Sequence, residues 1–207
     1  MNKGVELRSY VVIDRMQPQY AAFLGTVSKG DIPLPGMSQL FLEIAPGSEI
    51  YGMMDIALKN GNAKPGFQEV EREFGMMELH SYAVDDVIMA GNQILESYNL
   101  SEDDILKPSL VSDKIIESVD PYQAQLINRF RQGSALVPKE ALLILEVEPA
   151  VYVTAITNQI EKDADIKLVH FDPVGKYGRI YVAGNESQVR TAKNVSIQMI
   201  ESYQRKS

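Results

Sequence analysis

The sequence contains no cysteine and only two histidines, His80 and His170. The first absence excludes disulfides, thiolate nucleophiles, iron–sulfur ligation and cysteine-based zinc sites. The second leaves little from which to build a metal centre or a catalytic triad. Long apolar runs are missing too. The first run, residues 10–13, is far too short to span a bilayer or serve as a signal peptide, and residues 1–8 show no cleavage-site pattern. Cytoplasm is the default location. Basic charge is scarce: 20 Lys and Arg stand against 28 Asp and Glu, a net charge of −8 that argues against a nucleic-acid partner.

What is present is an ordinary globular composition, 45% hydrophobic and 23% charged, over a length that suits one domain or two. The distribution of charge separates the halves. Residues 1–103 carry 7 basic and 15 acidic side chains, whereas residues 104–207 carry 13 of each. The halves nevertheless repeat. Leu42-Glu43-Ile44-Ala45-Pro46 returns 103 positions later as Leu145-Glu146-Val147-Glu148-Pro149. The same ungapped shift pairs Pro18 with Pro121, Gly30 with Gly133, Pro35 with Pro138, Lys59 with Lys162 and Gly75 with Gly178. Proline and glycine matches are informative because each marks a backbone geometry few other residues supply. Two tandem copies of one domain are expected, 1–103 and 104–207, with divided roles.

Within each copy the pattern alternates between short strands and helices. Residues 9–14 and 39–44 are rich in apolar and β-branched or aromatic residues and read as strands. Pro18 suits the first turn of a helix reaching about Ser28. Ile50, Met53, Met54, Ala57 and Leu58 form one face of a second helix, stopped by Asn60-Gly61-Asn62. Residues 66–74 and 76–81 read as strands joined near Gly75. A third helix places Val84, Val87, Ile88, Gly91, Ile94, Leu95 and Tyr98 on one side, with Asp85 and Asp86 favouring its N-terminus. Ser101 to Asp104 has the form of a capping box but reads as the start of the linker.

The second copy reads likewise. Strands are expected at 111–119, 142–147, 166–171 and 179–183, with helices after Pro121, through Lys162 and from about Asn185. The last helix turns Val189, Ala192, Val195, Ser196, Met199 and Ile200 inward, and the tail 204–207 is expected to fray. The fold class is α+β, each copy a small, mostly antiparallel sheet packed with about three helices.

The candidate functional stretch is Val70-Glu71-Arg72-Glu73-Phe74, preceded by Glu69. Alternating glutamates share one side of an extended segment, with Arg72 on the other. Like charges at that spacing repel, so they suit either a solvated strand edge guarded against aggregation or a charged rim around an opening on a symmetry axis. The second copy has Pro173, Val174 and Gly175 where the first has Val70, Glu71 and Arg72, so the pair belongs to one copy only. Glu78 and His80 stand at i, i+2 on a strand, but no third metal ligand accompanies them. Asn128, Arg129 and Arg131 read either as an anion site or as a solvated helix face. Lys59 and Lys162 end equivalent helices, where a basic residue complements the helix dipole.

Residues 6–11, 55–59, Val70-Glu71-Arg72 with Phe74-Gly75, and 125–129 resemble the tandem-domain shell proteins of bacterial microcompartments. The resemblance covers residues 4–203 and is nearest to the carboxysome members, whose two domains are circularly permuted. It implies a non-enzymatic homotrimer without cofactor or metal, whose six domains imitate a hexamer. Such trimers tile with hexameric shell proteins into a facet and can stack in pairs. Glu71 and Arg72 then match a pair that opens and closes a central pore for metabolites, with Lys59 and Lys162 at the oligomer edge. If Glu69 and Glu73 also approach the pore, their charge repels anionic metabolites unless basic residues offset it. Two other classes are carried beside this one: a duplicated α+β ligand-sensing module regulating a metabolic enzyme, and an enzyme with a site between the domains.

Overall fold

Short apolar runs rich in β-branched and aromatic residues form a four-stranded antiparallel sheet in each half. Residues 4–205 are described in the computed structural model. The first sheet comprises β1 (Glu6–Ile13), β2 (Ser38–Ala45), β3 (Lys64–Glu71) and β4 (Phe74–Ser81), in the order β1-β2-β4-β3. The second comprises β5 (Ser109–Ile116), β6 (Ala141–Glu148), β7 (Lys167–Asp172) and β8 (Gly178–Gly184), in the order β5-β6-β8-β7. Three helices accompany each: α1 (Pro18–Val27), α2 (Ile50–Asn60) and α3 (Val84–Tyr98), then α4 (Pro121–Phe130), α5 (Tyr152–Asp163) and α6 (Glu186–Arg205). Gln204 and Arg205 close α6; the fraying expected of Lys206 and Ser207 lies outside the described residues.

The glycines matched between the halves hold the same contacts. Gly30 and Asp31 donate to the carbonyls of Gly66 and Pro65, and Gly133 and Ser134 donate to those of Val169 and Leu168, each 103 positions on. A side chain at Gly75 would collide with the Gly47 carbonyl, and one at Gly178 with the carbonyl of Ala150, its counterpart. The repeated glycines mark places where two backbones must touch.

β2 is buried along nearly its whole length because both its faces are covered. Leu40, Leu42 and Ile44 pack with Met53, Ala57, Val87 and Ile94 beneath α2 and α3. Phe41 faces the other way, into a larger core shared by both halves, where Tyr20, Phe23 and Leu24 of α1 meet Ile156, Ile160 and Phe171. The seam between the halves is also polar. Asn158 Oδ1 accepts from the Gln17 amide at 2.8 Å, and the Glu161 carboxylate accepts from Gln19 and Tyr20 at 2.7 and 2.8 Å. These side chains of α5 satisfy the orphan N–H groups opening α1, whose own N-cap residue Gln17 does not.

Two local expectations are corrected. The hairpin between β3 and β4 turns at Arg72–Glu73, with Glu71 opposite Phe74, not at Gly75. Pairing of β4 with β2 runs on to Gly75 opposite Ile44, so register holds Gly75 inside the strand. Leu58 and Ile88 are 44% and 37% exposed rather than inward, and Ala90 takes the inner position on α3. Ser101–Asp104 is a true capping box: the Asp104 carboxylate accepts from the Ser101 amide at 2.7 Å, ahead of a short 3₁₀ turn.

Candidate pore site

The β3–β4 hairpin is the tightest connection in the first sheet, and it puts Arg72 at its apex. A two-residue hairpin needs positive φ within its turn, which is why glycine or asparagine usually stands there. Arg72 adopts φ +53° without either advantage. Its side chain is 89% exposed, and its Nε lies 3.4 Å from Glu71 Oε1, an ion pair between sequence neighbours. At the equivalent place in the second half stands Gly175, with φ +92°. The two turns are neighbours, since a Cβ added to Gly175 would lie 3.8 Å from Glu71 Cγ.

The other residues of the candidate stretch divide. Val70 packs on the core under α2, whereas Glu73 sits in the turn and not on the strand beside Glu69 and Glu71. Glu69 pairs with Lys29 at 3.2 Å. Lys176, fully exposed in the β7–β8 connection, is held above the ordinary lysine range by the Tyr177 hydroxyl first and by Glu148 and Glu73 after it. Of the two acids flanking the pair, Glu69 has a basic partner within ion-pair distance and Glu73 lies in the exposed turn. Pro173 and Val174, with Phe67, Glu69, Glu78 and His170, line a cleft of about 570 Å³ between the halves.

Behind the hairpin lies Arg8, a member of the 6–11 stretch with no role of its own in the sequence pattern. It is 6% exposed, donates from Nε to Glu43 Oε1 at 2.8 Å, and its guanidinium carbon stands 3.8 Å from the centre of the Phe74 ring. Burial drives the Glu43 carboxyl above its usual range, against the opposing pull of the Arg8 hydrogen bond. The one available signal was that Val111, a neutral residue, occupies the matching place in the second half.

The remaining candidates are held by local contacts. Glu78 and His80 touch at 3.0 Å inside the sheet, and the Glu78 carboxylate also accepts from Gln39 and Gly66. No cluster of three metal-ligating side chains occurs among the described residues. Asn128 is engaged at both ends with the backbone of Leu136, and Arg131 bonds the Gly133 carbonyl. Lys59 pairs with Asp55 at 2.6 Å in the last turn of α2, and Lys162 occupies the last turn of α5. Among the described residues no helix is long and apolar enough to cross a membrane.

Comparison with known proteins fits a doubled antiparallel α+β unit. The family model of the CsoS1D N-terminal domain matches residues 7–104. The carboxysome shell protein CcmP of Synechococcus elongatus is 43% identical over 198 residues, covering 96% of this chain and 93% of that one. The chain is a bacterial microcompartment shell protein. A second relative of this shell family, the carboxysome shell protein CsoS1D of Hydrogenovibrio crunogenus, is 41% identical over 91% of this chain and 92% of its own. Two solved shell proteins of the RMM microcompartment superpose along the whole chain. The fused permuted hexameric shell protein MSM0275 does so with a TM-score of 0.93 at 40% identity, covering 98% of this chain and all of the other. The double-ringed trimeric MSM0271 gives 0.91 at 30% identity, covering 96% of this chain and 97% of its own. The fold is therefore that of two fused, permuted shell domains, and the family's work is structural rather than enzymatic.

Proposed function

We propose that three copies of the chain close head to tail into a ring of six domains, 1–103 alternating with 104–207, around an opening rimmed by three β3–β4 hairpins. The observation that carries this reading is a mismatch of burial between the halves. Within the chain α1 and β1 sit against α5, and α5 is buried at every position from Tyr152 to Asn158. Its copy α2 buries only Ile50, Met53, Met54 and Ala57, leaving Tyr51 and Leu58 bare. Conversely, Phe23 on α1 is 2% exposed while Leu126, its counterpart on α4, is 62% exposed. Leu7 of β1 is buried while Leu110 of β5 is not. The bare α4–β5 face and the bare α2 are two sides of an interface that one chain fills once and leaves open once. A second copy fills it.

The open version also differs in chemistry. Asp120 caps α4 from within, accepting from the Tyr122 amide at 2.8 Å, so no glutamate is needed opposite; Leu58 stands where α5 has Glu161. Burying Leu58, Leu126 and Tyr122 together is worth about 1.5–3 kcal/mol for each large apolar side chain. Such a head-to-tail contact must close into a ring or run on as a filament. The double-ringed trimeric form of MSM0271 supports closure at three and the stacking of two rings.

In this ring Glu71 and Arg72 form the gate. Exposed ion pairs are worth about 0–1 kcal/mol, so pairing within one hairpin and pairing with the neighbouring chain lie close in energy. A metabolite with modest preference for one arrangement shifts the population. Lys59 and Lys162 stand at the outer edge, where hexameric shell proteins of the same facet adjoin. Native mass spectrometry and sedimentation test the assembly: a mass of three chains, or six if rings stack, is expected. A single chain at micromolar concentration, or a structure down the symmetry axis with Glu71 and Arg72 on the outer perimeter, rejects it.

A further inference from the structure

Arg8 stands at a β-bulge. The register between β1 and β2 shifts between Leu7 and Ser9, and the equivalent shift in the second half falls between Leu110 and Ser112. A bulge re-aims the side chain of the extra residue. In the second half that residue is Val111, 43% exposed; in the first it is an arginine 6% exposed. Burying a guanidinium is costly unless it is well paired. Arg8 makes one short hydrogen bond, to Glu43; Glu6 at 3.5 Å is marginal, and Nη2 has no hydrogen bond among the described residues and lies 3.8 Å from Glu148. Its closest remaining partner is the face of Phe74, 3.8 Å away, a cation–π contact.

The same arginine reaches the seam. Glu43, which it holds, accepts with its other oxygen from the Val151 amide at 3.0 Å, just ahead of α5 in the second half. A chain of direct contacts therefore runs Val151–Glu43–Arg8–Phe74 and ends one residue past the Arg72–Glu73 turn. The second half is wired differently: Glu146 pairs with Arg179, and Tyr177, which replaces Phe74, has its cation from the adjacent Lys176, 5.2 Å from the ring centre, rather than from β5.

We propose that Arg8 is the positioning residue of the gate hairpin, clamping Phe74 to the seam between the two domains so that the turn bearing Glu71 and Arg72 keeps one orientation. Its importance for passage rests on the pore reading above; the clamp itself does not. Rearrangement at the seam then reaches the rim through Arg8. The side chain acts through Phe74 and has no contact with a passing solute.

The chain contains no tryptophan, so Phe74→Trp installs a single reporter at the contact, with the ring type that binds cations best. The full-length assembled protein is compared with Arg8→Met and Arg8→Lys in that background. Acrylamide quenching and amide exchange of residues 70–75 are the readouts. With Arg8→Met, exchange there is expected about tenfold faster, the scale of one buried cation–π contact, with a matching rise in quenching and little change in β2 or α5. Arg8→Lys restores part of the protection, which a merely space-filling role would not allow. Unchanged exchange at 70–75, or equal acceleration across β1, β2 and α5, overturns the proposal. Should Arg8→Met fail to fold, Phe74→Leu with Arg8 intact reads the same contact: selective loosening is expected, and its absence overturns the clamp. Particle mass is measured separately, so failure of the ring and failure of the clamp give different results.

Discussion

Arg72 and Gly175 occupy one backbone position in two copies of a fold, at φ +53° and +92°. The second copy uses the residue for which that conformation is free, and the first uses an arginine that must be held there. A strained non-glycine residue costs of order 1–3 kcal/mol and persists where its side chain is needed. Arg72→Gly should therefore raise the stability of the assembled protein by about 1 kcal/mol in denaturant titration at fixed protein concentration. It should also make solute passage insensitive to gate state. A loss of stability would show that the arginine is kept for packing.

The open interface makes a second prediction. Leu126→Glu places a charge on the exposed α4 face that, in the proposed ring, meets apolar Leu58 of the next copy. The proposed assembly should give way to folded single chains, seen as a drop in mass to that of one chain with unchanged far-UV circular dichroism. Phe23, its counterpart, is buried within the chain, so Phe23→Glu should impair folding instead.

Glu161 caps α1 across the seam with both carboxylate oxygens. Glu161→Ala leaves two helix-start amides without partners and should cost about 1–2 kcal/mol. Asp120→Ala should cost a similar amount on α4 through the cap it supplies to Tyr122. If Glu161→Ala is neutral in thermal unfolding, the seam is not held by these bonds.

His170 supplies a pH dependence. Packed with Phe23, Phe130 and Tyr181, its imidazole is held below the ordinary histidine range by burial, with Asp172 opposing. The unfolded chain then binds more protons than the folded one in the window below the usual value of about 6.5. Stability therefore rises with pH through that window and is lost as pH falls through it. His170→Phe, which copies Phe67 of the first half, should flatten this limb of the melting-temperature profile. An unchanged slope would assign the dependence to other groups.

Legibility followed the range of the forces involved. The α1 start at Pro18, the stop of α2 before Gly61 and the inward face of α6 depend on local propensity and periodicity, and they stood where the residues indicated. The turn between β3 and β4 did not, because pairing with β2 extends to Gly75 and no local signal carries that register. Leu58 was misread for a related reason. Periodicity marks it as apolar, but an apolar residue left at the surface looks the same in sequence as one turned to the core.

By itself the sequence determined the doubling: proline and glycine restrict the backbone so strongly that the 103-residue shift survives where most side chains have diverged. It also marked Glu71-Arg72 as belonging to one copy. Only the tertiary structure decided that Arg8 lies buried behind Phe74, that Lys29 pairs with Glu69, and that Phe23 is covered while its counterpart Leu126 is bare. Those facts depend on which distant segments meet, and that follows from packing two sheets and six helices together rather than from any stretch of chain.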